Sequence, residues 1–441
     1  MYVRIFQRGL AVVAKHRNFR MKAIAKLLSD SNYDIVTLQE VWVAKDFTLL
    51  KEAVKETLPY SAYFYSGALG SGLAILSKFP IISTSYHRYT LNGKPLKLLH
   101  GDFYVGKGVG SILVNHPVIG LLEVFTTHLH GGYGPKDIYK AHRATECWQL
   151  AHLLRSSAAM GRHIILSGDF NLIPTSYNYR LISDHGFMTD SWLQLHGEPD
   201  PCKFPLESIT PDVYTQYFGF TCNSPFNNFS RYWDGGKDTN ARQFLGKRLD
   251  YIFYRQTTQF NCIESKVVMT DFIPNSQMNY SDHFGVASVF AISHPVQTNA
   301  SLSPSLSTNL CHPNYTQLSP TLIDEVLDVL KKDLRRSKKE SQAILYLFFI
   351  LIIVHIIFYI LLIVLPSILS LRFNTAVPTI VVTVIDGLLM TGTGFLIPIC
   401  LIVGFAFGRI EQRSLLQFIN EVDALRRNLL MPENQQQQQL V

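Results

Sequence analysis

The chain has 441 residues, 47% of them hydrophobic and 17% charged, which is long enough for one large domain with additions or for two domains. Its six cysteines (Cys147, Cys202, Cys222, Cys262, Cys311 and Cys400) are scattered with no CxxC, which excludes a disulfide framework and reads as reduced thiols facing the cytosol. The net charge of +7 is unevenly spread, with six basic residues against two acidic ones in KKDLRRSKKE at 331–340, so the overall balance says little about the rest of the chain.

The first stretch, MYVRIFQRGLAVVAKHR, lacks the uninterrupted apolar core and cleavage pattern of a secretory signal. Arg17 to Leu28 has helical apolar spacing, with Met21, Ile24, Ala25 and Leu28 on one side. YDIVTLQEVW (33–42) predicts a strand with a polar exit, 46–57 a helix, and GLAILSKFPI (72–81) a strand. SILVNHP and LLEVFTTHLH (111–130) predict two neighbouring strands, Ile138 to Leu154 a long helix, and RHIILSGDFN the next buried strand. RLDYIFYR (248–255), ESKVVMTD (264–271) and GVASVFAI (285–292) follow as strands. Short continuous apolar runs fit strands covered on both faces. Residues 1–294 are therefore expected to form one α/β domain, two packed sheets under outer helices.

Residues 295–320, rich in Ser, Thr, Asn and Pro, read as a linker, and 321–342 as a basic amphipathic juxtamembrane helix. Two apolar runs follow, 343–371 with one His and no charge, and 376–407 with the single acid Asp386. Each exceeds the roughly 20 apolar residues that a helix needs to span a bilayer. The short link around Arg372-Phe373-Asn374-Thr375 makes them a hairpin. Lys331, Lys332, Arg335, Arg336, Lys338 and Lys339 flank one outer end, and Arg409, Arg413, Arg426 and Arg427 the other. The positive-inside bias puts both ends, and the domain before them, in the cytosol, so the sequons at Asn228, Asn279, Asn299 and Asn314 go unused. Asp386 is costly in a span unless paired or hydrated; packing of the hairpin and contact with lipid headgroups are the roles open to it. Residues 408–441 predict a last cytosolic helix and a Gln-rich tail.

Four segments of the first domain end strands with residues suited to metal-assisted phosphodiester cleavage. Glu40 in LQEVW offers a carboxylate to a hard cation, and equally fits the N-terminus of the next helix. His128 in FTTHLHGG suits donation to a phosphate oxygen, with His130 as the second choice and a structural role the plain alternative. In SGDFN, Asp169 brings a carboxylate to the reacting centre and Asn171, two residues on, offers amide donors from the same side; a simple turn uses the same residues. His283 in SDH is assigned as general base, Asp250 in RLDYI as the acid that orients it, and Asp282 as a more distant or water-mediated metal ligand.

The joint order E…H…GDFN…LDY…SDH resembles the endonuclease/exonuclease/phosphatase superfamily, and within it the neutral sphingomyelinases and the fungal inositol phosphosphingolipid phospholipases C. AKHRNFRMKAIAKLL (14–28), LQEVW, THLHGGYGPKDIYKAHR (127–143) and SGDFN carry the likeness in order over residues 9–291, and the paired apolar tail matches in layout. The resemblance implies a four-layered α/β sandwich and Mg²⁺ as cofactor. It implies hydrolysis of membrane sphingolipid to ceramide and phosphorylated headgroup, with anionic phospholipids as activators; the endoplasmic reticulum is the expected membrane, with other endomembranes or mitochondria as alternatives. It also gives Asp102 and Lys107 in GDFYVGKGVG the role of a switch governing entry of the substrate phosphate; a Gly-rich hairpin with a solvated Lys is the alternative.

The start of the chain departs from that pattern. Relatives end their first strand in N-x-W-G, where this chain has Phe6, Gln7, Arg8 and Gly9, so the Asn that helps build the metal site is missing. An alternative start, or a weakened or rebuilt metal site with Gln7 as substitute, are the readings this leaves. Four rivals to a sphingolipid phospholipase C stand beside it: a lyso-phospholipid phospholipase C, a DNA-repair nuclease, an inositol polyphosphate phosphatase and an inactive membrane scaffold. A membrane hairpin argues against the nuclease, so no nucleic-acid partner is expected. RLDYIFYR standing where PxWCDR is typical argues against the phosphatase. Headgroup and oligomeric state are not legible in the sequence.

Overall fold

The apolar runs become the strands of two sheets. In chain order the elements are β1 (Tyr2–Arg4), α1 (Arg17–Ser29), β2 (Ile35–Gln39), α2 (Ala44–Ala53), β3 (Tyr60–Tyr63), β4 (Ala74–Ser77) and β5 (Ile81–Arg88). Then come α3 (Asp102–Val105), β6 (Gly108–His116), β7 (Gly120–His128), α4 (Lys140–Ala159), β8 (His163–Asp169), α5 (Tyr177–Arg180), β9 (Thr189–Asp190), α6 (Ser191–His196) and α7 (Pro211–Phe218). β10 (Asp250–Tyr254), β11 (Phe260–Val268) and β12 (Gly285–Ile292) complete the strands. The computed structural model describes residues 2–4, 16–132, 137–200, 211–230, 246–293, 316–373 and 375–431. The chain divides into two units, Met1–Leu322 and Ile323–Val441.

One sheet of the first unit runs β11-β12-β1-β2-β4-β3, the other β5-β6-β7-β8-β10-β9. Ala62, Phe64, Leu73 and Ile75 of the first meet Ile112, Val114, Leu122 and Val124 of the second in a shared apolar core. Met21, Ile24, Ala25 and Leu28 of α1 and Leu50 of α2 cover the outer face of the first sheet at Val36, Leu38, Ala74 and Leu76. The outer layer of the second includes α4, with Ala144, Cys147, Trp148, Leu150, Ala151 and Leu154 buried. This is the four-layered α/β sandwich that the sequence predicts.

Within the apolar interior two polar contacts cross between the sheets. Thr37 Oγ1 and Ser167 Oγ are 2.7 Å apart, and Gln39 Nε2 donates to Thr126 Oγ1 at 2.8 Å. All four residues are essentially without solvent exposure. Buried hydroxyls and amides need partners of correct geometry, so these bonds fix how β2 lies over β7 and β8.

Two local readings change. GLAILSKFPI is not one strand: β4 ends at Ser77 in the first sheet, and β5 starts at Ile81 on the edge of the second. Pro80 lies between them, where a residue without an N–H cannot serve a ladder and the chain is free to change sheets. GDFYVGKGVG is not a Gly-rich hairpin with a solvated Lys; Asp102–Val105 is a helical turn, and Lys107 is 3% exposed. β1 takes a central place, parallel to β2 and antiparallel to β12. The departures at Phe6, Gln7, Arg8 and Gly9 lie outside the described residues, as do the sequons at Asn299 and Asn314.

In the second unit the predicted boundary between juxtamembrane helix and span carries no break. α8 (Pro320–Arg372) runs as one helix of 53 residues, with Pro366 inside it. α9 (Val377–Leu401) passes through a π-helical turn at Ile402–Phe407 into α10 (Gly408–Leu429). Both arms are long and apolar enough to cross a membrane. They run antiparallel, pinned by Arg426 to Asp324, Ser337 Oγ to Glu411 Oε2 at 2.6 Å, Ser341 Oγ to Gly404 O at 2.6 Å, and His355 Nδ1 with Thr393 Oγ1 at 2.9 Å. Among the described residues of α9, Asp386, Thr393 and Cys400 are buried on one heptad-spaced stripe, so Asp386 lies on the side that packs within the hairpin. Lys331, Lys332, Arg335, Lys338 and Lys339 are exposed, whereas Arg336 is half-buried and paired with Asp333 and Glu340.

Gln39→Leu removes one cross-sheet bond and leaves a buried hydroxyl at Thr126. It is expected to destabilise the first unit by about 1–3 kcal/mol, read as a lowered thermal midpoint of the purified full chain.

Candidate active site

Four strands and one loop bring their polar ends to one level of the sandwich. In the second sheet His128 pairs in register with Asp169 across the β7–β8 ladder, and Asp169 with Asp250 across β8–β10. Residues directly opposite one another share a face, so the three side chains come together although they are far apart in sequence. Glu40, the residue after β2, arrives from the first sheet, and His283 from the turn just before β12.

His128 Nε2 lies 2.9 Å from Asp169 Oδ2 and 3.8 Å from Glu40 Oε1. Asp169 also accepts from the Asn171 backbone N–H at 3.0 Å and from Asn171 Nδ2 at 2.9 Å. His283 Nδ1 is 2.7 Å from Asp250 Oδ2, and the Thr221 hydroxyl donates to the same oxygen. One donor atom each of Asp169, Asp250 and His283 lies within 4.8 Å of the others. Glu40 and Asn171 have φ of 59° and 49°, left-handed values that side chains other than Gly rarely adopt. Such strain persists only where the surroundings over-determine it, and here it turns two strand exits inward.

The donor set suits a hard divalent cation. Glu40, Asp169 and Asp250 are 6%, 0% and 1% exposed, and the ring partners named above are two imidazoles, His128 and His283. Carboxylates so buried need a compensating cation, and oxygen donors favour Mg²⁺ or Ca²⁺ over softer ions.

The remaining predicted residues divide. Asp282, expected as a more distant or water-mediated metal ligand, lies outside the Asp169–Asp250–His283 cluster, and its charge partly restores the Arg20 guanidinium that burial lowers. Asn171 Nδ2 is committed to Asp169 and, at 2.9 Å, to Leu129 O. Lys107 Nζ donates to that same carbonyl at 2.7 Å and pairs with Asp102 at 3.0 Å. Burial pushes the Asp102 carboxyl up, but Lys107, with His130 beside it, outweighs this and holds it below its ordinary value. His130 is fully buried, stacks on Tyr139 with ring centroids 3.8 Å apart, and is pulled down to about 4 by burial. His130 thus sides with the Asp102–Lys107 pair, its Nε2 3.4 Å from Asp102 Oδ2, whereas His128 is the imidazole on Asp169.

Sequence reading missed Thr221, Arg20 and Glu146. Thr221 accepts from the Asp250 and Leu249 N–H groups while donating to Asp250, and a lone Thr in GFTCN carries no spacing signal. Arg20 sits in the quoted AKHRNFRMKAIAKLL stretch, where its regular helical position gave no sign of a partner. Glu146 on α4 accepts from the His130 N–H at 2.9 Å, and burial lifts its carboxyl to about 8.

Carboxylate-steered imidazoles beside a cation-ready carboxylate group, at the strand ends of a two-sheet sandwich, define a phosphodiesterase-type hydrolase. The chain belongs to the Endonuclease/Exonuclease/phosphatase family, whose sequence profile matches residues 13–283. It is 34% identical over 421 residues to the inositol phosphosphingolipids phospholipase C of Schizosaccharomyces pombe, covering 94% of this chain and 91% of that protein. It is 32% identical over 297 residues to sphingomyelin phosphodiesterase 2 of Homo sapiens, covering 66% of this chain and 65% of that protein. Among solved structures, sphingomyelinase C from Streptomyces griseocarneus aligns with a TM-score of 0.44 and 16% identity over 66% of this chain and 97% of that one.

Thr221→Val removes the second donor to Asp250, and the expected loss is about 10- to 100-fold in kcat with little change in KM, measured by phosphodiester turnover. Glu146 titrates at about 8 in the folded chain against an ordinary 4.5, so the native state holds a proton that the unfolded state releases between those values. Stability from this group is therefore greatest at low pH and falls as pH rises through that window. Glu146→Gln is expected to flatten the decline and to raise the thermal midpoint above pH 8, measured by thermal unfolding across pH.

Proposed function

We propose that the chain is a Mg²⁺-dependent phosphodiesterase of the phospholipase C type, which hydrolyses the bond between the phosphate and the ceramide oxygen of a membrane sphingolipid. The observation that carries this reading is the convergence of Glu40, His128, Asp169, Asp250 and His283 at one level of the sandwich. Support comes from the likeness to the S. pombe enzyme over 94% of the chain, a share that cannot leave out either apolar helix.

Asp250 accepts at Nδ1 of His283, which leaves Nε2 with its lone pair. His283 Nε2 takes a proton from water, the hydroxide attacks phosphorus in line with the ceramide oxygen, and that P–O bond breaks. Glu40, with Asp169 and Asp250 beside it, would supply oxygen donors for Mg²⁺, with Asp282 as a more distant or water-mediated ligand. When bound there, such a cation would supply Lewis acidity toward a phosphoryl oxygen and offset charge on the leaving alkoxide. His128 and Asn171 donate to the equatorial oxygens by exchanging Asp169 for the phosphate as their acceptor. The Asp102–Lys107 pair governs phosphate entry through Leu129 O, the acceptor that Lys107 shares with Asn171.

A cytosolic side for the first unit is supported by the basic flanks of the hairpin and by two sequons. Asn228 Nδ2 donates to Gln277 O at 2.6 Å, and fully buried Asn279 donates Nδ2 to Thr270 O at 3.2 Å. A glycan would take one of the two hydrogens on either nitrogen and need room beside these packed contacts. The exposed members of the 331–340 cluster fit attraction of anionic phospholipid, at about 1 kcal/mol for each basic residue near the surface.

The test is headgroup release by the purified full chain from sphingomyelin and from inositol phosphosphingolipid in mixed micelles, with and without Mg²⁺. Turnover of at least one lipid is expected, lost on chelation and restored by Mg²⁺, and abolished in a folded His283→Ala variant. Near-normal activity in that variant, or activity indifferent to chelation, would overturn the assignment.

A further inference from the structure

Seven hydrophobic residues of the first unit are more than half exposed among the described residues, and four of them lie together on two loops. Tyr65 and Leu69, at 78% and 57%, belong to the β3–β4 loop; Leu96 and Leu98, at 53% and 66%, to the segment between β5 and α3. The loops are joined through Tyr104. Its hydroxyl donates to Pro95 O at 2.8 Å, and its carbonyl accepts from the Ala68 and Leu69 N–H groups at 2.8 and 3.2 Å. Ser66 Oγ donates to Gly106 O at 2.7 Å. At Gly67, with φ 50°, a Cβ would come within 2.3 Å of Tyr104 O, so the contact admits no side chain. The apolar side chains therefore stand on a braced ledge.

Both loops are rooted at the active site. The Val41 N–H, next to Glu40, donates to Gly72 O at 2.9 Å. At the base of the other loop, Lys107 reaches Leu129 O, beside His128, and a Cβ on Gly93 would lie 3.1 Å from His130 Nε2. Residues 92–101 carry Lys94 and Lys97 and no acid, and residues 64–73 carry no charge at all. An exposed apolar patch of this kind beside the candidate active site marks a binding surface.

We infer that this ledge, Tyr65, Leu69, Leu96 and Leu98 with Lys97, is a bilayer-docking edge that enters the boundary between headgroups and acyl chains of an anionic membrane. The inference rests on the lipid-phosphodiesterase reading and gives it a means of reaching its substrate. A bilayer is the occupant because the chain carries two membrane-length helices, and because the ledge joins apolar side chains and a Tyr to basic charge without counter-acids, the composition of interfacial anchors. Side chains raised on two loops suit a fluid surface more than a protein groove.

The double variant Leu96→Glu/Leu98→Glu tests this in the full chain reconstituted into phosphatidylcholine–phosphatidylserine vesicles. Turnover of vesicle-embedded sphingolipid is expected to fall at least tenfold, while turnover of a water-soluble short-chain phosphodiester by the same preparation stays unchanged. Equal loss on both substrates, or none on vesicles, would overturn the inference. Independently of activity, Leu98→Trp is expected to add emission that brominated lipids quench; added emission that stays unquenched, or that an added soluble protein alone protects, argues equally against docking. A wild-type chain inert toward sphingolipid would remove the functional proposal, while the quenching result would still decide the ledge.

Discussion

The active site depends on the vertical register between two sheets, and that register rests on hydrogen bonds in a dry interior. Apolar contacts between facing sheets are permissive, because Ile, Val and Leu pack nearly as well after a small slide. Thr37 with Ser167 and Gln39 with Thr126 are not permissive, since a slide breaks buried hydrogen bonds that water cannot replace. These contacts lie on the strands that end in Glu40, His128 and Asp169. The carboxylate from one sheet is thereby held opposite the imidazole and carboxylate of the other.

What gathers at that level is electrostatically costly. Three nearly inaccessible carboxylates, with two residues in left-handed conformations, would not hold together without the surrounding scaffold. The second layer of contacts is therefore dense: Thr221 grips Asp250, Asn171 grips Asp169, and Lys107 and Asn171 meet at one carbonyl. That shared carbonyl links the Asp102–Lys107 pair mechanically to the reacting end of β8. The hairpin of apolar helices solves a different problem with similar means. A few polar bonds along two apolar helices fix an antiparallel register that lipid-like side chains alone would leave loose.

Much of this was legible in the chain. The helix at 17–28 and its buried side, the strand at 285–292, the two apolar spans and the order E…H…GDFN…LDY…SDH are properties of short windows. Hydrophobic period and strand-end chemistry are local signals, and they needed no partner to be read. The family likeness followed from the same windows.

Other features exist only between windows. Whether GLAILSKFPI was one strand or two depended on a second sheet waiting to receive Ile81. Asp282 and His283 are adjacent in sequence, and only the packed chain brings the His283 imidazole onto Asp250, 33 residues away. Thr221, Glu146 and the ledge at Tyr65 and Leu98 carry no periodicity, so no single segment announces them. The sequence by itself determined which elements form and which residue types can do phosphodiester chemistry, because those follow from side chains and near neighbours. Tertiary structure alone decided which of those side chains meet, because meeting depends on register across sheets and on contacts between residues far apart in the chain.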